Sequence, residues 1–349
     1  MLFNVGIKMI KILLQPFSTI AFCVLCFFYS NLSFADWYSD EQAIMGTSVS
    51  VTVWHDDKAQ ADAAIAAVMD EMRRVDQTLS PYIETSELAK VNREAAQHPV
   101  PISQELLTIV DKALYFSRLS GGAFDISFAS VGYLYDYREH QKPSDQQRQQ
   151  LLGAIDYHLI ELDRKNATLH FKHPDLKIDL GGIAKGYAVD RSIAILEARG
   201  IHNASVSAGG DSRLLGDRGN NTPWHVGIKN PRGDQRKTEV AIMLPLANVA
   251  ISTSGDYERF FIDSTTGERV HHIINPRTGK STNGIASVTI IGPQGFDTDP
   301  LSTTIFVMGV EKGLPLINKL PGFDCIIIDS AGQVHYSEGL MPPVQTSEK

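Results

Sequence analysis

The sequence predicts an α+β fold whose sheet is largely antiparallel. Two observations carry this. Helix-period stretches weigh on the first half of the chain and strand-like stretches on the second. The two types also mix without the regular βαβ alternation that a doubly wound sheet requires. Taken in order, residues 48–54 (SVSVTVW) alternate as a half-buried strand. Residues 61–78 place apolar side chains at helical spacing. Ser86 reads as an N-cap, with its helix starting at Glu87 and Leu88. Residues 103–119 form the next helix, with Leu106, Leu107, Val110 and Leu114 on one side. A turn at 142–145 leads into a short helix over 145–152. Strands are expected at 159–169 and 176–180. Residues 184–199 make a helix closed by Gly200. Strands follow at 204–208, 224–228, 240–244, 249–252, 257–262 and 286–291, then a helix over 298–308 and a last strand over 325–329.

At 349 residues, 43% hydrophobic and 21% charged, the chain has the composition of a globular protein with a proper core. Its first eleven residues carry two lysines and no acid, residues 12–29 are uncharged and apolar, and Ser33 and Ala35 are small. That is the layout of a secretory signal peptide over 1–35, ahead of a single domain over 36–349. The apolar run is also long enough for an uncleaved membrane anchor, and Cys23 or Cys26 offers a site for a lipid. Each version puts the rest of the chain in the periplasm or outside the cell. Formal charge is −8, and losing residues 1–35 removes two lysines and leaves −10. So acidic a chain argues against a nucleic-acid partner. Only Cys325 lies beyond the leader, so the mature chain has no intramolecular disulfide, and its apolar surroundings read as core.

Residues 177–190, KIDLGGIAKGYAVD, raise the functional question. They fit neither the G-x-G-x-x-G dinucleotide fingerprint nor a P-loop, and the GKS at 279–281 lacks the first P-loop glycine. What they suggest is a strand ending at Asp179, two glycines that admit a close backbone approach, and a helix start near Ala184. Lys185 in the first helical turn runs against the helix dipole; a bound anion, or simply an exposed turn lysine, accounts for it. A second glycine corner follows at Gly209-Gly210-Asp211, and His271 and His272 precede an Asn-Pro turn. Asp299 and Thr303, four residues apart on a helix, offer a carboxylate and a hydroxyl to a hard cation such as Mg²⁺.

As a set these segments resemble the ApbE family of FAD:protein FMN transferases. The resemblance runs in order through Met45-Gly46-Thr47, SPYIETSELAKVN, GGAFDIS, IDLGGIAKGYAVD, SAGGDSRLLG, STSGDYERFF, HHIINPRTGKS and TDPLSTTIFVMG. It implies a T-fold-like core that binds FAD with Mg²⁺. It also implies transfer of FMN to a serine or threonine of an acceptor flavoprotein subunit, with release of AMP. By position it makes Met45, Tyr82, Ala123, Phe124, Asp125, Asp179, Lys185 and Ile273 flavin or nucleotide contacts. Asp299, Thr303 and the Gly182 carbonyl become metal ligands, and His272 the base for the acceptor hydroxyl. The chain departs from the family's usual pattern at 126–131 (ISFASV) and carries Asn275 where an aspartate is common.

The residue types suit that chemistry. Phosphoryl transfer from a pyrophosphate needs charge neutralisation and an activated hydroxyl, which a metal–carboxylate pair and a histidine provide. Two other readings use the same residues: an FAD pyrophosphatase with water as acceptor, and a flavin-binding protein without turnover. The sequence by itself does not choose between His271 and His272.

Overall fold

The computed structural model describes residues 35–233 and 239–340. The leader read over residues 1–35 lies, Ala35 apart, outside the described residues. Eight strands form one sheet: β1 (Asp36–Ile44), β2 (Thr47–His55), β3 (Ala204–Ala208), β4 (Asp211–Leu215), β5 (Ala250–Gly255), β6 (Ile285–Gly292), β7 (Asp324–Asp329) and β8 (Val334–Tyr336). Their order in the sheet is their order in the chain, and every neighbouring pair is antiparallel. The expected α+β architecture with an antiparallel sheet is therefore present. Antiparallel neighbours need only short links, so the long connections are free to carry everything else.

Those connections hold α1 (Lys58–Leu79), α2 (Glu87–Glu94), α3 (Gln104–Leu119), α4 (Ala129–Gly132), α5 (Asp145–Leu151), α6 (Ala184–Ala198), α7 (Gly295–Met308) and α8 (Val310–Ile317). Helix α1 lies over β1 and β2, α6 over β3 and β4, α7 over β5 and β6, and α8 over β7. Neighbouring helices also pack on one another, α1 on α6 and α6 on α7. The core sits between these layers. Val49, Val51 and Val53 of β2 point into it, and β6 is buried along its whole length, which explains its apolar run. On the far side, a hairpin of Trp224–Lys229 and Val240–Leu246 lays Ile228, Ile242 and Leu244 against Ile326 and Ile328 of β7.

Several expectations need correcting. The predicted strand over 159–169 is a hairpin of Ile160–Asp163 and Thr168–Phe171. Asp163 accepts from the Lys165 and Asn166 amides and bends the chain there. Residues 176–180 join no ladder. The Asn92 side chain takes both Ile178 backbone groups instead, accepting from its N–H at 2.8 Å and donating to its carbonyl at 2.9 Å. The strand predicted over 257–262 is confined to Phe260–Ile262. Strand β1 escaped prediction because DWYSDEQAI is an edge strand with few apolar residues. Helix α8 escaped it because it contains Gly313 and Pro315.

Candidate active site

Segment 177–190 is where the layers meet, and almost every polar group in it has a tertiary partner. Asp179 accepts from the Gly181 amide at 2.6 Å. Gly182 lies beside α7, where a Cβ would stand 3.5 Å from Thr303 Oγ1 and 3.3 Å from the Phe124 ring. Lys185 reaches Asp211 at the start of β4, Nζ to Oδ2 2.7 Å, and also the Gly181 carbonyl at 3.1 Å and Asp299 Oδ1 at 3.7 Å. Burial works against the Lys185 charge, but Asp211 and Asp299 outweigh it and hold the ammonium above its ordinary range. Carboxylates thus partner Lys185, which is not the exposed turn lysine that its place in the helix allowed. The Gly186 amide donates to Asp299 Oδ2 at 2.9 Å. Asp190 crosses to α7 and accepts from the Gly295 and Phe296 amides, both at 2.9 Å, capping that helix from outside.

Helix α7 carries a polar stripe into the interior. Ser252 and Ser254 of β5 meet it, with Ser252 on Thr298 at 2.8 Å, and Ser254 on Ser302 at 2.8 Å and Thr303 at 3.2 Å. These bonds explain how hydroxyls sit in a core position. Asp299 is 2% exposed. Burial first, and then the neighbouring Asp211, hold its carboxyl well above the usual carboxylate range. Two buried carboxylates share one lysine, so this corner favours a further cation. Asp299 and Thr303 lie at the crossing of α6 and α7 with Gly182 beside Thr303, and the predicted donors, a carboxylate, a hydroxyl and a backbone carbonyl, are all hard oxygens. The residues present therefore fit Mg²⁺. No cluster of three or more His, Cys, Asp or Glu suited to a metal occurs among the described residues.

The two histidines have different surroundings. His271 is buried and both its ring nitrogens are used, Nε2 on the Thr282 carbonyl at 2.7 Å and Nδ1 on the Ile273 amide at 3.3 Å. The second contact makes Nδ1 an acceptor, so Nε2 carries the proton. His272 keeps a buried Nδ1 with no partner among the described residues. Burial, with Arg259, His271 and Lys185 adding to it, pushes His272 down to about 3. A histidine whose folded pKa lies below its unfolded value of 6.5 takes up a proton first in the unfolded chain. The protein is therefore expected to lose stability as pH falls below that value. His272→Gln should flatten the fall between pH 6.5 and roughly 5, by up to about 1.4 kcal/mol per pH unit. Urea denaturation across that range checks it; parallel curves would show that His272 is not held neutral.

The other predicted contacts are spread around this centre. Met45 and Gly46 form a two-residue hairpin turn with φ of 56° and 68°, a type I′ geometry that is unusual for methionine. Tyr82 is 77% exposed and stands edge-on to Tyr133 across 6.1 Å. With Pro81 and Tyr135 they line a hollow of about 160 Å³. A larger cleft of about 420 Å³ lies between β1 and α1 and includes none of the predicted residues. Ala123 is half-buried, and Ile273 is buried beside His272. Phe124 is 4% exposed and packs edge-on to Phe116, so its ring belongs to the core. Asp125 also turns inward. Oδ1 accepts from the Ser127 amide and hydroxyl, and Oδ2 from the Tyr157 amide at 2.9 Å. It braces its own loop through both oxygens.

Sequence reasoning missed Asp211, Ser254 and Arg259. Asp211 ends a glycine corner that had been noted, and Ser254 and Arg259 lie in the quoted STSGDYERFF, but only tertiary contact gives them partners.

Fold and site together define a class: an antiparallel-sheet protein with helices packed on the sheet and a buried corner of carboxylate and hydroxyl oxygens at the crossing of α6 and α7. The chain belongs to the ApbE family, which matches residues 45–327. It is 30% identical to a FAD:protein FMN transferase of Treponema pallidum, over 88% of this chain and 89% of that protein. It is 31% identical to one of Vibrio cholerae, over 78% and 81%. Among solved structures it resembles an ApbE protein of Thermotoga maritima, with 33% identity, a TM-score of 0.79 and coverage of 87% of this chain and 98% of that one. It also resembles the Vibrio cholerae flavin transferase ApbE, with 26% identity, a TM-score of 0.77 and coverage of 87% and 98%.

Proposed function

We propose that this chain is a transferase that moves the FMN moiety of FAD onto a serine or threonine hydroxyl of an acceptor flavoprotein, releasing AMP, with Mg²⁺ at the Asp299 corner. One observation carries the reading. Asp299 and Thr303 stand four residues apart on α7 where it crosses α6, with Gly182 beside Thr303, and His272 keeps a buried nitrogen with no partner among the described residues.

In the proposed reaction the acceptor oxygen bonds to the phosphorus of the FMN phosphate. The bridging P–O bond to AMP breaks, and the hydroxyl proton passes to His272. Mg²⁺, when bound, neutralises pyrophosphate charge and polarises that phosphorus. Asp299 and Thr303 would hold it, with the Gly182 carbonyl alongside. His272 stands neutral, so it can accept a proton without first losing one. Lys185 is tied to Asp211 and braces the carboxylates. Tyr82 presents an aromatic face at the hollow, suited to a flavin ring. The apolar residues 12–29 support a place of work outside the cytoplasm.

The test mixes the purified chain with FAD, Mg²⁺ and a candidate periplasmic flavoprotein subunit, and weighs the subunit. A mass gain equal to FMN that requires Mg²⁺ is the expected result. Free FMN and AMP with no gain on any acceptor that a known relative modifies would replace transfer by hydrolysis.

A further inference from the structure

Arg259 is exposed, and its guanidinium has no carboxylate within ion-pair distance among the described residues. Its backbone carbonyl accepts from the His272 amide at 3.2 Å, which fixes it next to the candidate base. Its side chain extends to the Met45–Gly46 turn, where Nη2 stands 3.4 Å from the Gly46 carbonyl. A bond that long engages one donor weakly, and a guanidinium has five. Lys185, the other cation of the site, is already shared by Asp211 and Asp299. The arginine charge reaches the site from this position, opposing protonation of His272 and stabilising ionised Asp179.

We propose that Arg259 is the residue that binds a phosphate of the FAD pyrophosphate, closing the mouth of the site between the Met45–Gly46 turn and His272. The assignment rests on the flavin-transfer reading above. A planar guanidinium with free paired donors takes phosphate oxygens two at a time, which the tethered Lys185 cannot do. Binding there also screens the positive charge beside His272, so the same contact makes the imidazole a stronger base when substrate is present.

Binding of FAD, ADP and riboflavin to the wild type, Arg259→Gln and Arg259→Lys, measured by calorimetry at two salt concentrations, tests the proposal. Riboflavin carries the flavin ring without phosphate, and ADP the pyrophosphate without the flavin. Arg259→Gln should weaken FAD and ADP by about 10- to 100-fold, leave riboflavin unchanged and flatten the salt dependence. Arg259→Lys should recover part of the loss. The residue is exposed, so thermal stability should stay at the wild-type value in both variants. Equal losses for FAD and riboflavin, or wild-type FAD affinity in Arg259→Gln, would overturn the assignment while leaving flavin transfer intact. A wild type that binds neither FAD nor ADP would overturn both.

Discussion

Asp299→Asn is expected to abolish FMN transfer while leaving the protein folded. Asp299 is the charged member of the oxygen corner and is 2% exposed. Its two oxygens have different duties, Oδ2 accepting from the Gly186 amide and Oδ1 facing Lys185. Asparagine can keep the first contact through its amide oxygen. It removes the charge on which a divalent cation depends. A metal acting as Lewis acid contributes several kcal/mol to the transition state, so the loss in rate should be about 10³-fold or more at ~1.4 kcal/mol per decade. Burial and Asp211 already disfavour the ionised carboxylate, so neutral asparagine should match or exceed wild-type stability. Asp299→Ala differs in a useful way. It strands the buried Gly186 N–H and should cost about 1–3 kcal/mol of stability as well as activity. Mg²⁺ titration calorimetry and thermal melts on both variants separate the two duties. Transfer by Asp299→Asn within tenfold of wild type would remove the metal from this corner.

What the sequence made legible here were the groups whose meaning is local. The four-residue spacing of Asp299 and Thr303 puts them on one helix face, and the structure keeps them there. The helix over 184–199 was readable from its period and from Gly200 beyond its end. The remainder depended on contacts between distant segments. Ile178 looked like a strand residue because its neighbours are apolar, yet a side chain 86 positions away satisfies its backbone. Lys185 looked misplaced because Asp211 is not near it in sequence. Asp125 entered only through the resemblance of its GGAFD segment to the family, and its bonds to the amides of Ser127 and Tyr157 are visible only in the fold. The choice between His271 and His272 is of the same kind, because it turns on which ring nitrogens already have partners.

The largest stability effect is expected at Gly186, the third glycine of IDLGGIAKG. Alanine in place of glycine inside a helix ordinarily stabilises by up to about 1 kcal/mol. At Gly186 the sign should reverse. A Cβ there would lie 2.0 Å from the Gly295 carbonyl oxygen, 2.6 Å from its carbon and 2.7 Å from the Asp299 Cβ. The obstacle is mostly backbone, so no rotamer change relieves it. The contact is also mutual, since a Cβ on Gly295 would meet the Gly186 carbonyl at 2.6 Å. Helices α6 and α7 touch main chain to main chain at this point, and alanine must force them apart. Overpacking a core costs about 1–3 kcal/mol, occasionally more; here the upper end or beyond is expected. Gly153→Ala, with no heavy atom within 4 Å of the added Cβ, is the control and should be neutral or mildly stabilising. Urea midpoints for the two variants decide the matter, and a Gly186→Ala midpoint equal to that of the control would refute the close approach. The effect should also reach activity in molecules that remain folded. Asp299 and Thr303 ride on α7, Gly182 leads into α6, and the Asp190 cap joins the two helices at the same crossing. Separating them by even an ångström pulls the oxygen donors apart, so the glycine that permits the helix contact also sets the spacing of the site.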